Sequence, residues 1–290
     1  MKNGQIKKEP RDAYGTPRDL AALYTDRAID YWGSSSYLEP SAGAGPFVDA
    51  LVARGLSVQA YDIEPLHPLV ERRDFFSLTD ELEGKVLIGN PPFGKGGSMA
   101  LKFMNHAISN GVIGICMLLP ACIGHKHFTL KTLSPKAHLV YEEEMDKDRH
   151  FQYLDDRIIE GENPVRCFWQ HWEIREEDRQ DPQYLRETES FEILQPGTKK
   201  VKIDGKQREL PVGPIDADLT VVSHGPKAGS VLPFSPEHKA NVKMFLRVKE
   251  GHTVSEVKEQ IESSDLYHLR YSTIRHNPSI APSELIEAVG

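Results

Sequence analysis

The chain has 290 residues, of which 39% are hydrophobic and 27% are charged, and its formal net charge is −8. This composition is typical of an ordinary globular protein that is large enough to bury one substantial core. It excludes a membrane-spanning chain, because the longest apolar run, Val112 to Leu119, stops at Pro120 and is too short to cross a bilayer. The first residues also lack the apolar centre of a signal peptide.

The first half of the chain alternates between predicted strands and predicted helices. Residues 1–13 are expected to be a flexible arm, after which Thr16 as N-cap and Pro17 as first residue start a helix. Its predicted buried face comprises Leu20, Leu23, Tyr24, Ala28 and Tyr31. A short strand is predicted to begin at Tyr37, and further strands at 57–61, 85–89, 111–119, 137–141 and 165–174. Helices are predicted at 47–54 and 98–110, and an acidic connection at 142–148. This order implies an α/β fold with a doubly wound, mostly parallel sheet.

A second, smaller region is predicted after a charge-dense break at Glu176 to Asp181. The expected domains are therefore residues 14–175 and residues 176–290, the latter an α+β accessory or target-recognition region. Strands are predicted at 191–194, 200–203, 219–222 and 242–248, with Asp204-Gly205 as a hairpin turn. Helices are predicted at 253–262, where Thr253 and Glu256 form a capping box, and from Pro282 onward.

A glycine-bearing turn follows the first buried strand. The run is Glu39-Pro40-Ser41-Ala42-Gly43-Ala44-Gly45-Pro46-Phe47, and its glycines allow the backbone to approach a ligand closely. It lacks the ending of a phosphate loop and the third glycine of a dinucleotide fingerprint, which makes a dinucleotide oxidoreductase an unfavoured alternative. The next strand ends at Asp62-Ile63, about 20 residues later, where an acidic residue can hold ribose hydroxyls. Asp74-Phe75 supplies a third carboxylate before the following strand.

The tetrapeptide Asn90-Pro91-Pro92-Phe93 closes another buried strand. Two prolines end the strand abruptly, because neither can donate to a ladder. Oxygen acceptors at Asn90 and Pro91, beside the flat ring of Phe93, suit a planar base that carries an amino group. The simpler interpretation is a strand-ending turn with a core phenylalanine.

Three cysteines, Cys116, Cys122 and Cys167, show no paired spacing, which indicates free thiols in a reducing compartment and favours a cytoplasmic protein. Cys122, His125 and His127 have no fourth ligand at a recognisable spacing, so we expect no metal. The net negative charge argues against a general duplex binder. Cations nevertheless gather near the amino terminus and between His125 and Lys136.

The order of Thr16-Pro17, the glycine turn, Asp62-Ile63, Asp74-Phe75 and Asn90-Pro91-Pro92-Phe93 resembles the gamma class of S-adenosylmethionine-dependent adenine methyltransferases. The resemblance covers roughly residues 13–175. It implies methylation of the exocyclic amino group of adenine, in DNA ahead of RNA, after the base is flipped out. The catalytic residues would be Asn90, Pro91, Pro92 and Phe93.

The resemblance also implies that S-adenosylmethionine is the cofactor. The residues that would bind it are Tyr14, Thr16, Pro17, Glu39, Pro40, Ser41, Ala42, Gly43, Gly45, Asp62, Ile63, Asp74, Phe75 and Asn90. We expect the nucleic acid to contact Lys95, His125, Lys126 and Lys131. No membrane or metal partner is expected.

Two alternatives remain open at the level of sequence. Enzymes that methylate a protein glutamine also use Asn-Pro-Pro with an aromatic residue, although theirs is usually Tyr where this chain has Phe93. The acidic charge slightly favours that alternative. The second is a non-catalytic, cofactor-binding subunit of a complex that modifies nucleic acid, against which the intact tetrapeptide argues.

Overall fold

The computed structural model describes residues 14–146, 151–153, 166–180, 186–203, 206–214, 216–238, 240, 242–264, 266 and 279–289. The chain divides into two compact units, Met1–Asp181 and Pro182–Gly290. The expected arm at 1–13 and the expected turn at Asp204-Gly205 lie outside the described residues.

The first unit alternates between strands and helices, as predicted. In chain order its elements are β1 (Tyr14–Gly15), α1 (Arg18–Trp32), β2 (Tyr37–Glu39), α2 (Pro46–Ala53), β3 (Val58–Asp62), β4 (Glu71–Arg72), β5 (Val86–Gly89), α3 (Ser98–Ser109), β6 (Gly114–Pro120), α4 (His127–Thr132), β7 (Ala137–Glu144), β8 (Gln152–Tyr153) and β9 (Cys167–Ile174). Short 3-10 turns are formed by Phe75–Ser77, Asp80–Leu82 and Lys95–Gly97.

Seven of these strands form one sheet in the order β4-β3-β2-β5-β6-β9-β7. The pairs from β4 to β6 are parallel, and β9 is antiparallel to both of its neighbours. The predicted α/β fold with a doubly wound, mostly parallel sheet is therefore confirmed. Successive residues of β5 belong to opposite cores: Leu87 packs with α3, whereas Val86 and Ile88 pack with α1 and α2. Burial on both faces explains why this strand is a continuous apolar run.

Three local predictions in this unit were wrong. Tyr31, predicted on the buried face of α1, is 45% exposed. Thr16 is not the N-cap of α1: Pro17 occupies that position with extended ψ of 143°, and no side chain caps the helix. The run from Glu142 to Glu144 is not a connection but the end of β7. Its charge does not prevent a strand there, because the three carboxylates pair with His125, Arg27 and Arg166.

The second unit is a smaller α+β region, which confirms that part of the predicted fold class. Its elements are β10 (Phe191–Leu194), β11 (Gly197–Ile203), β12 (Lys206–Val212), β13 (Leu219–Val222), β14 (Val231–Pro233), β15 (Lys243–Val248), α5 (Val254–Ser263) and α6 (Pro282–Val289). Four strands form an antiparallel sheet in the order β10-β15-β13-β14, while β11 and β12 form a separate two-stranded sheet. The predicted capping box of Thr253 and Glu256 starts α5.

Candidate active site

The site lies where the strand order of the large sheet reverses. The chain leaves β2 to form β3 on one side and later returns to form β5 on the other side. In open α/β sheets, ligands bind in the crevice outside the carboxyl ends of the strands at such a switch point. Glu39 ends β2, Asp62 ends β3, and Asn90 directly follows β5. Three residues predicted for the site therefore lie along one edge of the sheet.

The glycine turn between β2 and α2 is anchored to the end of β3. Asp62 accepts the backbone N–H of Gly43 through Oδ2 at 2.8 Å, and the N–H of Glu64 through Oδ1 at 2.8 Å. Gly43 and Gly45 have φ of 50° and 76°, a region that favours glycine. Asp62 thus fixes the turn, and each carboxylate oxygen keeps a second lone pair for a further donor.

A segment that the sequence did not point to also holds this turn. Leu66 donates its N–H to the carbonyl oxygen of Gly43 at 3.0 Å. The next residue, His67, accepts the N–H of Leu69 at Nδ1, so its proton lies on Nε2, 3.0 Å from Asp49 Oδ1. Asp49, in α2, also pairs with Arg18 of α1. The turn is therefore connected to both neighbouring helices through His67.

Glu39 is a buried acid at the switch point, with only 2% of its surface exposed. Its Oε2 has no hydrogen-bond partner within the described part of the chain. Burial raises the pKa of this carboxyl well above its usual value; Asp62 adds to the increase, the N–H of Val48 opposes it, and Asp49 adds a smaller increase. A buried carboxyl in this state suits a ligand that brings positive charge or a hydrogen-bond donor.

The tetrapeptide is joined to the glycine turn. Ser41 donates its hydroxyl to the carbonyl oxygen of Asn90 at 3.4 Å. Gly89, the residue before, has φ of 143°, and a Cβ there would lie 3.2 Å from Cγ of Glu39. The two motifs therefore meet at the switch point, where a side chain at position 89 would crowd Glu39.

Phe93 ends the tetrapeptide as a mostly buried ring, with 8% of its surface exposed. It meets the Phe151 ring edge-on at 6.1 Å between centroids. Its carbonyl oxygen accepts the N–H groups of Met99 at 3.0 Å and Ala100 at 3.4 Å, which fixes the start of α3. Pro91 is buried and Pro92 half-buried. The role of Phe93 as a stacking surface stays a prediction.

The segment that contains Thr16 lies beside the chain that meets Phe93. β1 pairs with β8, with Gly15 opposite Gln152, directly after Phe151. Thr16 is buried, and its hydroxyl has no hydrogen-bond partner among the residues the structure covers. An unsatisfied buried hydroxyl is costly unless a ligand or water completes it. Thr16 is thus a candidate ligand-binding residue, for a reason unrelated to helix capping.

The Asp74-Phe75 pair starts a 3-10 turn after β4, and its predicted role in cofactor binding stays a prediction. Asp74 accepts the N–H of Phe76 at 3.0 Å and so caps a 3-10 turn. Phe75 is buried in the core, stacked on Phe103 with ring centroids 4.7 Å apart. Ile63, by contrast, is 66% exposed directly after β3, where an apolar contact with a ligand is available.

The cations predicted to contact nucleic acid do not form one exposed set. Lys95 and Lys131 are exposed. Lys126 is buried, and His125 pairs with Glu142 at 2.7 Å. The charge pattern alone did not reveal this, because it gives no information on depth within the fold. The contact of Lys126 and His125 with nucleic acid stays a prediction.

The described residues offer neither a metal site nor a membrane span. Among them, no group of three His, Cys, Asp or Glu side chains is arranged to hold a metal ion. Burial raises the pKa of the Cys122 thiol to about 12, so it is a poor metal ligand. None of the described helices is both long enough and apolar enough to span a bilayer.

Comparison with known proteins gives structural likeness only. No protein-family model matches the chain, and no curated protein matches it. A candidate RNA methyltransferase from Pyrococcus horikoshii is 13% identical, with a TM-score of 0.44, over 58% of this chain and 92% of its own. A candidate class I S-adenosylmethionine-dependent methyltransferase from Listeria monocytogenes is 14% identical, with a TM-score of 0.40, over 61% of this chain and 66% of its own. TrmN from Thermus thermophilus is 14% identical, with a TM-score of 0.38, over 54% of this chain and 48% of its own. Likeness at this level does not assign a function.

Proposed function

We propose that this protein is an S-adenosylmethionine-dependent methyltransferase that acts on the exocyclic amino group of adenine in nucleic acid. The observation that supports this proposal is the meeting of two motifs at the switch point, where Ser41 of the glycine turn binds the carbonyl oxygen of Asn90. A methyl donor at the turn and an amino group at the tetrapeptide would then be neighbours. The motif order favours DNA over RNA as the substrate.

The residues at this edge fit S-adenosylmethionine by their chemistry. Its ammonium group matches the buried carboxyl of Glu39, whose Oε2 lacks a partner within the described residues. Its ribose hydroxyls match the remaining lone pairs of Asp62, and its adenine matches the exposed side chain of Ile63. Thr16 offers a buried hydroxyl for the same ligand. When bound, the cofactor supplies an activated methyl group.

The tetrapeptide would prepare the acceptor nitrogen. The adenine amino group is a poor nucleophile, because its lone pair is delocalised into the ring. The side-chain oxygen of Asn90 and the carbonyl oxygen of Pro91 would accept its two N–H groups and favour a pyramidal nitrogen. No strong base is required, since the methylated nitrogen sheds its proton readily. Catalysis is then a matter of positioning and electrostatics.

The base must leave a duplex to reach this position. The accessible part of the Phe93 ring would stack on the extruded base, while the remainder of the ring stays packed beside Phe151. Anchoring of the Phe93 carbonyl to the first turn of α3 holds the ring in place. The proposed substrate side of the site would thus be built on a helix and a strand end, rather than on a free loop.

Transfer of a labelled methyl group from the cofactor to DNA, RNA and protein pools tests the proposal. We expect label in nucleic acid, at the adenine amino group, and its loss in Asn90→Ala. Asn110→Ala, at the opposite end of α3, is the matched control and should retain the activity. Label in the protein pool alone would favour the glutamine alternative. Cofactor binding without any transfer would favour a non-catalytic subunit.

A further inference from the structure

A two-stranded ribbon in the second unit carries a concentration of positive charge. β11 and β12 pair antiparallel from Gly197 opposite Val212 to Ile203 opposite Lys206, as a sheet separate from the four-stranded one. The chain as a whole has a net charge of −8. The two strands nevertheless contain a single acid, Glu209, and five cationic residues: Lys199, Lys200, Lys202, Lys206 and Arg208.

In the strand register, most of these cationic residues have no acidic residue directly opposite on the other strand. Lys200 stands opposite Glu209, whereas Lys202 stands opposite Gln207. Lys206 and Arg208 stand opposite Ile203 and Val201. Directly opposite residues are the nearest cross-strand neighbours, so Lys202, Lys206 and Arg208 have no acidic residue directly across the ladder. Thr198 on β11 and Gln207 on β12 are both exposed.

The dimensions of the ribbon suit a duplex. Seven residues per strand give a length of about 20 Å, with strands about 4.8 Å apart. A two-stranded β-ribbon fits the major groove of B-DNA, which is about 12 Å wide. Cations on such a ribbon release counterions from the phosphates and so gain affinity.

We infer that the β11–β12 ribbon is a nucleic-acid-binding element that contacts the phosphates of duplex DNA. The inference rests on the proposed function for its class of substrate, and it gives the second unit a role in holding the target. The stretch from His125 to Lys136 is a weaker candidate, because Lys126 is buried and His125 already pairs with Glu142.

Binding of the full chain to a fluorescent mixed-sequence DNA duplex, measured from 50 to 200 mM salt, tests the inference. The variant Lys206→Gln/Arg208→Gln removes two cationic residues from one face of β12, because residues i and i+2 of a strand share a face. It should lose affinity by about tenfold or more at 100 mM salt, and the magnitude of the negative slope of log K against log salt should decrease by nearly 2. Lys227→Gln/Lys258→Gln is the control, since it removes two exposed cations from the same unit and should keep the slope. The charge-preserving variant Lys206→Arg/Arg208→Lys should bind like the parent.

The possible results separate this inference from the proposed function. If the parent binds the duplex and methylates it, but the ribbon variant has the same affinity and slope as the parent, the inference is overturned and the proposed function stands. If the parent neither binds DNA nor transfers methyl groups to nucleic acid, both are overturned. Equal losses in the ribbon variant and in the control also overturn the inference, since total charge would then explain them.

Discussion

The imidazole of His67 lies against Gly45, so closely that a Cβ on this glycine would be 2.6 Å from Cγ of His67. Gly45 precedes α2 and has φ of 76°, a left-handed conformation. His67 also binds Asp49 in α2 through Nε2. The segment after β3 is therefore packed onto the glycine turn by a contact that a side chain at position 45 would displace.

Gly45→Ala should weaken both folding and cofactor binding. The left-handed conformation costs alanine about 1 kcal/mol, and the added methyl group must also push away the His67 ring. Gly55→Ala is the matched control, because Gly55 has φ of 74° and a Cβ there would meet nothing within 4 Å. Urea melts and calorimetric titration with S-adenosylmethionine should show a larger loss of stability for Gly45→Ala, and weakened binding for that variant alone.

A double-mutant cycle locates the cause of that loss. In Gly45→Ala/His67→Ala the clash is absent, so the combined loss of stability should be smaller than the sum of the two single losses. Additive losses would show that His67 plays no part in the effect.

Glu39→Gln should stabilise the free protein at neutral pH while weakening cofactor binding. The pKa of Glu39 is raised well above its ordinary 4.5, chiefly by burial. Because the pKa of Glu39 is higher in the folded state than in the unfolded state, its contribution to the free energy of unfolding is fully present below the unfolded-state pKa. That contribution is lost as the pH rises through the folded-state pKa. Glutamine does not titrate, so the gain in free energy of unfolding of Glu39→Gln over the parent should increase from about pH 4.5 upward. The gain should vanish near pH 4.

Urea melts across pH 4 to 8, together with cofactor titration, check this expectation. Glutamine can still accept the N–H of Val48, so the fold should be kept. An unchanged cofactor affinity would show that Glu39 does not bind the cofactor, even if the change in stability appeared as expected.

Much of this arrangement could be predicted from the sequence, because it depends on local patterns. The carboxyl ends of parallel strands lie at the same edge of a sheet, so Glu39, Asp62 and Asn90 could be placed at one edge from their positions at the ends of predicted strands. The contact between His67 and Gly45 could not, since it depends on how the chain folds back after β3. The burial of Lys126 also depends on tertiary packing, so it could not be predicted from a run of cationic residues.

Acid should destabilise the first unit through His171. This residue is 1% exposed and accepts the indole N–H of Trp169 at 2.7 Å. Burial lowers its pKa from 6.5 to about 4. Because the folded-state pKa is depressed, its contribution to stability is present above pH 6.5 and is lost as pH falls towards 4, by up to about 3 kcal/mol.

Urea melts of His171→Gln between pH 7 and 4 test this expectation, with exposed His252→Gln as the control. Glutamine can accept the same N–H but does not titrate. The pH dependence should flatten for His171→Gln and stay parental for His252→Gln. If His171→Gln kept the full acid sensitivity, another group would be responsible.

Substitutions of Asn90 and Phe93 should have different kinetic effects if the proposed reaction occurs at this site: the first should lower the rate, and the second should weaken substrate binding. Asn90→Ala removes an acceptor that acts as the amino nitrogen becomes a nucleophile, so the single-turnover rate should fall by roughly 100-fold or more. Cofactor affinity should stay nearly parental. Phe93→Leu keeps most of the buried volume beside Phe151 but removes the aromatic face. It should mainly weaken substrate binding, by about 1–3 kcal/mol.

The decisive comparison uses substrates in which the target adenine is paired or mismatched. A base that is already unpaired costs less to flip, so a mismatch should partly restore binding and rate in Phe93→Leu. It should not restore the rate of Asn90→Ala, because that variant lacks a group needed in the chemical step. Thermal melts separate both effects from folding. If Asn90 and Phe93 were only turn and core residues, both variants would lose stability together, with rate and affinity falling in parallel on both substrates.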